Sequence, residues 1–293
     1  MMLIQEAVDH CASYLEGKKI ESSRLSAELI VGHVTSLSRT EVLSTPNRKL
    51  TNTEETNLDV AMKERGKHKP LPYIIGEVEF YSIPFSISSG VFIPRPETET
   101  LVDAALDIAK EISDAPKIYD LGTGCGNVII ALALNLDDGE FWASDISNNA
   151  VQTASLNVRR HDLQNYVEVK EGQLFSPMRK ELATEFDIVV SNPPYIRSGD
   201  IPKLPPQIKD FEPHIALDGG RDGMSVIKSI LDGAAPILKP GGYVLLEADP
   251  ITMPSIRSEV QRRTCYEDFK VLPDASGKDR VAQFRTKAKK IGW

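Results

Sequence analysis

From Pro116 onward, short apolar runs and amphipathic stretches take turns along the chain, and this alternation limits the available folds more than any other feature. Candidate strands fall at Lys117–Leu121, Glu140–Asp145, Val167–Glu171, Phe186–Ser191, Gly242–Glu247, Phe269–Leu272 and Val281–Arg285. Helical periodicity fills most of the gaps, at Val128–Leu136, Asn149–Asp162, Met224–Ala235 and Ser255–Arg263. Strands joined through helices lie parallel, and the helices cover both faces of the resulting sheet. An α/β domain is therefore expected.

The first part of the chain reads differently. From Leu3 to about Lys69, apolar residues recur at helical spacing, as in Ile4, Val8, Cys11 and Leu15, then Leu25, Leu29, Ile30 and Val34. Ser22 and Ser23 are candidate N-caps, and Thr51 with Glu54 reads as a capping box. Residues 1–69 are expected to form a small all-helical domain, whose separation from the later sheet favours a docking role over mere packing. Between Pro70 and Pro96, Tyr73-Ile74-Ile75-Gly76, Glu77–Tyr81 and Phe85–Ser88 are short, aromatic or β-branched and punctuated by Gly and Pro. Residues 70–96 are thus read as a β-hairpin linker, and 97–293 as the α/β domain.

Composition excludes several classes. No run reaches the roughly eighteen apolar residues of a membrane span. Cys11, Cys125 and Cys265 are scattered, and the five histidines do not pair at ligand spacing, so neither a disulfide framework nor a metal is expected. Glu6, Asp9, Glu16 and Glu21 near the start argue against a signal or transit peptide. A cytoplasmic address is expected, with the mitochondrial matrix as the alternative. A formal net charge of −8 disfavours direct binding of nucleic acid. The chain is expected to act as a monomer.

Asp120-Leu121-Gly122-Thr123-Gly124-Cys125-Gly126 follows an apolar strand and opens a helix. Three alternate glycines let the backbone turn sharply and let a ligand lie against it. The dinucleotide fingerprint G-x-G-x-x-G fails, because Asn127 or Ile129 falls where its third glycine belongs. G-x-G-x-G after an acidic residue resembles the cofactor loop of Rossmann-like methyltransferases. Asp145, ending the next strand, is placed to accept both hydroxyls of a ribose. A tight turn, with Asp145 merely capping the next helix, is the alternative.

After Phe186–Ser191 comes Asn192-Pro193-Pro194-Tyr195. A carboxamide or aromatic-amine nitrogen is a poor nucleophile, since its lone pair is delocalised. The side-chain oxygen of Asn192 and the carbonyl of Pro193 are two acceptors for its N–H bonds, held rigidly by the proline pair. The lone pair then faces an electrophilic methyl, and positioning supplies much of the rate. Tyr195 would wall the planar group. A proline-rich loop with Tyr195 as packing is the alternative.

With these motifs the chain resembles the HemK/PrmC family of peptide-release-factor glutamine methyltransferases. The resemblance also rests on Pro70–Gly76, Phe92–Glu99, Phe211–Gly220, Leu238–Tyr243 and Gly277–Val281. It implies a seven-stranded Rossmann-like class I methyltransferase domain preceded by a small all-helical domain and a β-hairpin linker. It implies methylation of the glutamine in the Gly-Gly-Gln motif of class I release factors, with S-adenosyl-L-methionine becoming S-adenosyl-L-homocysteine. Gly122, Thr123, Gly124, Cys125, Gly126, Asp145, Leu174 and Asn192 would then hold the cofactor. Phe92, Arg95 and Thr98 would close over it, and Asn192 to Tyr195 would hold the glutamine amide.

Two departures from the family pattern stand out: Gln173 in place of an acidic residue, and Ala248-Asp249-Pro250 after Glu247. The second resembles organellar members. Glu97 and Glu99 read as capping and ordering residues rather than as an acid–base pair, and Lys287, Lys289 and Lys290 as a solvated tail. Methylation of a nucleic-acid adenine amine, methylation of a ribosomal protein and a non-catalytic binding role remain the competing readings.

Overall fold

The computed structural model describes residues 1–177 and 185–288; Lys289 and Lys290 lie outside them. The chain divides into two compact units. One comprises Met1–Glu77 together with Pro205–Phe211; the other runs from Val78 to Leu204 and from Glu212 onward. The helical unit thus extends past residue 69 and includes a distant segment that local periodicity could not assign to it.

The first unit contains α1 (Ile4–Gly17), α2 (Ser23–Thr35), α3 (Arg39–Ser44), α4 (Asn52–Gly66) and α5 (Leu71–Ile75). Ile4, Ala7, Val8, Cys11 and Leu15 of α1 recur three and four residues apart. They are buried with Ala27, Ile30 and Val31 of α2 in one core. Thr51 and Glu54 form the expected capping box: the Thr51 hydroxyl accepts from the Glu54 N–H at 3.2 Å and the Glu54 carboxylate from the Thr51 N–H at 2.7 Å.

Two local expectations are corrected. Ser22 precedes α2 in the left-handed conformation (φ 52°) and makes no capping bond, because an N-cap bond needs extended backbone. Ser23 instead donates to the Ile20 carbonyl at 2.6 Å. Tyr73–Ile75 belongs to α5, not to a strand. Pro72 sits in the first turn, where no N–H is missed, and Gly76 at φ 84° ends the helix.

The hairpin follows as β1 (Glu77–Phe80) and β2 (Ile83–Ser86). Tyr81 and Ser82 both take positive φ, the geometry of a two-residue hairpin turn. The Glu99 carboxylate accepts from the Tyr81 N–H at 2.8 Å, so Glu99 ties this turn to the start of the next helix.

The second unit continues with α6 (Glu99–Ile112), β3 (Lys117–Leu121), α7 (Asn127–Leu134), β4 (Glu140–Asp145), α8 (Asn148–Arg160), β5 (Val167–Glu171) and β6 (Phe186–Ser191). After α9 (Pro206–Lys209), which belongs to the helical unit, come α10 (Ser225–Ala234), β7 (Leu238–Glu247), α11 (Met253–Arg262), β8 (Tyr266–Pro273) and β9 (Asp279–Thr286). Seven strands form one sheet in the order β5-β4-β3-β6-β7-β9-β8. The first five are parallel, and β9 runs antiparallel between β7 and β8. Tyr119 and Leu121 of β3, Val189 of β6, and Val244 and Leu246 of β7 join α10 and α11 in one core. Ile118, Ile188, Val190 and Leu245 are equally buried and alternate with them along the strands, so they serve the opposite face.

Candidate functional site

The strand order reverses between β3 and β6: from β3 the chain proceeds outward through β4 and β5, and from β6 through β7. In such a sheet, ligands bind outside the carboxyl ends of the strands at this switch point. Leu121 and Ser191 are partners there, and the Ser191 hydroxyl donates to the Leu121 carbonyl at 2.7 Å. The glycine loop and the Asn-Pro-Pro-Tyr segment therefore leave the sheet side by side.

Gly122, Gly124 and Gly126 have φ of 72°, 58° and 84°, a region costly for any residue with a Cβ. A Cβ on Gly122 or Gly124 would meet nothing within 4 Å, so the space above these two is open. Asp145, at the end of β4, accepts from the Gly124 N–H and the Ser147 N–H, each at 2.9 Å. Burial raises its carboxyl above the ordinary value against the pull of those N–H groups.

Thr123 and Cys125 face the protein rather than this space. The Thr123 hydroxyl donates to Asp120 at 2.7 Å. The Cys125 thiol is fully buried and pushed up to about 12, so it remains protonated. Only the backbone of these two residues can line a ligand. Leu174 is held in the left-handed conformation (φ 48°), its carbonyl accepting from Tyr119 at 3.3 Å and Ser144 at 3.2 Å.

On the β6 side, the Asn192 side-chain NH₂ donates to the Thr98 hydroxyl at 3.2 Å. This turns the Asn192 oxygen away from Thr98. Tyr195 packs on the core shared by α10 and α11, and burial raises its hydroxyl far above neutrality, so it is no base. The chain after Tyr195 is locked by a later loop: Ile196 N–H donates to the Leu217 carbonyl at 3.1 Å and Gly219 N–H to the Ile196 carbonyl at 2.8 Å. A Cβ on Gly219 would lie 2.8 Å from the Pro194 oxygen, and one on Gly223 2.4 Å from the Tyr195 oxygen. Those glycines let the two backbones touch.

Phe92 and Arg95 form a separate clamp. The Arg95 guanidinium lies 4.8 Å from the Phe92 ring centre and pairs with buried Glu212, which also accepts from the Ile93 N–H at 3.3 Å. Glu212 and Glu247 are the site residues that local reading missed. Glu247 ends β7, is 1% exposed, and is raised to about 7 chiefly by burial. A glutamate closing an otherwise apolar strand is the one local signal that could have found it. Among the described residues, no group of three or more His, Cys, Asp or Glu is placed to hold a metal ion.

A mostly parallel seven-stranded sheet with a glycine loop at its switch point defines the Rossmann-like class I methyltransferase fold. The family model described as PrmC N-terminal domain matches residues 6–76, and that of the methyltransferase small domain matches 98–203. A release factor glutamine methyltransferase of Koribacter versatilis is 38% identical over 286 residues, covering 96% of this chain and 97% of that protein. One of Moorella thermoacetica is 33% identical, covering 95% and 97%. The chain belongs to the release factor glutamine methyltransferase family.

Among solved structures, the hMettl16 catalytic domain, in complex with MAT2A 3′UTR hairpin 6, aligns with a TM-score of 0.58 at 13% identity, over 84% of this chain and 87% of that one. The T. thermophilus 16S rRNA N2 G1207 methyltransferase (RsmC), in complex with AdoMet and guanosine, aligns at 0.51 and 20% identity, over 72% and 49%. At such identities these likenesses establish the fold alone.

Proposed function

We propose that the chain transfers a methyl group from S-adenosyl-L-methionine to the side-chain amide nitrogen of the glutamine in the Gly-Gly-Gln motif of class I peptide chain release factors, tuning termination of translation. The observation that carries this reading is the orientation of Asn192. Its NH₂ is engaged by Thr98, so its oxygen is the end left for an incoming amide, beside the open glycine loop. The residues at that loop suit the cofactor, for a Cβ on Gly122 or Gly124 would fill space that is open, and Asp145 offers a carboxylate at its rim.

When bound there, the cofactor supplies an electrophilic sulfonium methyl and is left as S-adenosyl-L-homocysteine. Gly122 to Gly126 and Asp145 would hold it, with Leu174 beside them, and Phe92, Arg95 and Thr98 would close over it and the reactive centre. The Asn192 oxygen and the Pro193 carbonyl accept the two N–H bonds of the glutamine amide, and Pro194 keeps both acceptors fixed. That draws the nitrogen's lone pair out of conjugation and aims it. Tyr195 walls the planar group. No general base acts first, because methylation itself makes the nitrogen acidic and its proton then leaves.

The helical unit is the part we assign to docking the release factor. The enzyme is taken to work as a cytoplasmic monomer; among the described residues no helix is long and apolar enough to cross a membrane. Mass spectrometry of a class I release factor after incubation with this protein and S-adenosyl-L-methionine tests the reading. A single added methyl on the Gly-Gly-Gln glutamine is expected. An unmodified glutamine alongside methylation of RNA, DNA or a ribosomal protein would overturn it.

A further inference from the structure

Helix α8 bonds the segment that leaves the hairpin through one row of its side chains. Asn149 donates to the Ser89 carbonyl at 2.8 Å, Thr153 and Ser88 share a hydrogen bond at 3.1 Å, and the His161 ring lies 2.9 Å from the Pro84 carbonyl. Residues four apart on a helix share one face, and Asn157 stands in the same row. Its oxygen accepts from the Ser86 N–H at 2.8 Å, and its NH₂ donates to the Ser86 carbonyl at 2.9 Å. Asn157 also reaches further. Its NH₂ donates to the Cys125 carbonyl at 2.9 Å, inside the glycine loop.

That carbonyl stands just outside the helical ladder. Helix α7 first accepts at Gly126, whose carbonyl takes the Ile130 N–H at 3.0 Å. Cys125 is buried, and a buried carbonyl with no donor is costly. Asn157, itself fully buried, supplies the donor. The other end of the same peptide group, the Gly126 N–H, donates to the Thr123 carbonyl at 2.9 Å. The peptide plane between Cys125 and Gly126 is thus held at both ends.

The loop and α8 also touch closely. A Cβ on Gly126 would lie 3.3 Å from that of Ala154, which precedes Asn157 by three residues. Asp145, just before the same helix, holds the Gly124 N–H. An apolar side chain would be cheaper to bury at position 157, so packing gives no reason for an amide there. The backbone groups of Cys125 and Ser86 do, because a carboxamide can donate twice and accept at once.

We propose that Asn157 is a positioning residue for the cofactor, acting through the Cys125 carbonyl to hold the second half of the glycine loop in the shape that receives S-adenosyl-L-methionine. This rests on the reading of the glycine loop as the cofactor site. The bond runs to loop backbone, so its loss falls on cofactor binding and not on the acceptor amide held by Asn192.

The test is calorimetric titration with S-adenosyl-L-homocysteine, which needs no acceptor, beside single-turnover methyl transfer to the release factor. Asn157→Leu keeps the size of the side chain and removes its hydrogen bonds. Cofactor affinity should weaken about 10-fold, the scale of one lost buried hydrogen bond, with the rate at saturating cofactor within about threefold. Thr153→Val also removes a bond between α8 and the hairpin segment but none to the loop, and should leave affinity within about twofold. A merely structural role would lower the melting temperature and the fraction of protein that binds, with the affinity of that fraction unchanged.

Unchanged affinity in Asn157→Leu, or equal weakening by Thr153→Val, would overturn the proposal. If Asn157→Leu does not fold, amide exchange in the wild type decides. Filling the loop should slow exchange of the Ser86 N–H, which bonds Asn157, by about threefold or more, and unchanged exchange there would overturn the proposal. A wild type that binds no S-adenosyl-L-homocysteine would overturn the cofactor reading and this proposal together, whereas equal binding by wild type and variant overturns the proposal alone.

Discussion

On the β3–β4 side of the switch point the candidate site is made of backbone. Gly122, Gly124 and Gly126 take positive φ within five consecutive residues, and Asp145 reaches back to the Gly124 N–H. On the β6–β7 side it is made of side chains and close backbone contacts from far along the chain. Asn192 donates to Thr98, buried Glu247 ends β7, Arg95 pairs with Glu212, and Gly219 and Gly223 lie against Pro194 and Tyr195. A site made of local backbone depends on conformation, and single glycines carry it. A site made of converging side chains depends on direction, and it can fail while the backbone stays intact.

Asn192→Ala should give the largest effect that separates the halves. Methyl transfer should fall by about two to three orders of magnitude, as for loss of one transition-state hydrogen bond, with cofactor affinity within a few-fold. Loss of cofactor binding together with rate, measured by calorimetry, would show that the halves are not separable. Next in size is Gly223→Ala. Its Cβ would lie 2.4 Å from the Tyr195 oxygen, at φ 75°. Transfer efficiency should drop about 10-fold or more through displaced Tyr195, again with the cofactor still bound, since left-handed strain alone costs about 1–2 kcal/mol.

Asp145→Ala probes the other half and should reverse the pattern. Cofactor affinity should weaken about 10-fold, the scale of one charge-assisted contact, while the rate at saturating cofactor holds. A fall in the saturated rate as large as for Asn192→Ala would break the division. The smallest effect concerns stability. Each half buries one carboxyl raised to about 7, Asp120 below the glycine loop and Glu247 at the end of β7, both chiefly by burial. Since the folded-state pKa lies above that of the unfolded chain, the native state binds more protons between the two values. Stability must then fall as pH rises from about 4 to 7. Asp120→Asn should lessen the drop in denaturation midpoint between pH 5 and pH 8, measured by urea titration; an unchanged drop would mean that Asp120 is not the group responsible.

The parallel strands and the glycine loop were legible because each is specified by neighbours in sequence. The bounds expected for β3, β4, β5 and β6 coincide with those observed. β7 starts earlier than expected, at Leu238, because its first residues pass through Pro240-Gly241-Gly242 and are kept in the sheet by pairing with β6 and by the Thr286 hydroxyl, which donates to the Lys239 carbonyl at 2.8 Å. Tyr73–Ile75 looked extended from its branched and aromatic side chains, but Pro72 and Gly76 at its ends made a turn of helix the better solution. Pro205–Phe211 gave no local sign of joining the helical unit.

Backbone conformation answers to the residue that adopts it, so glycines, prolines and alternating apolar residues already determine in one dimension where strands end and where a loop must open. The direction of a carboxamide answers to whatever hydrogen-bond partners come within reach of it. For Asn192 that partner is Thr98, in the turn before α6, which only the folded sheet brings beside the end of β6.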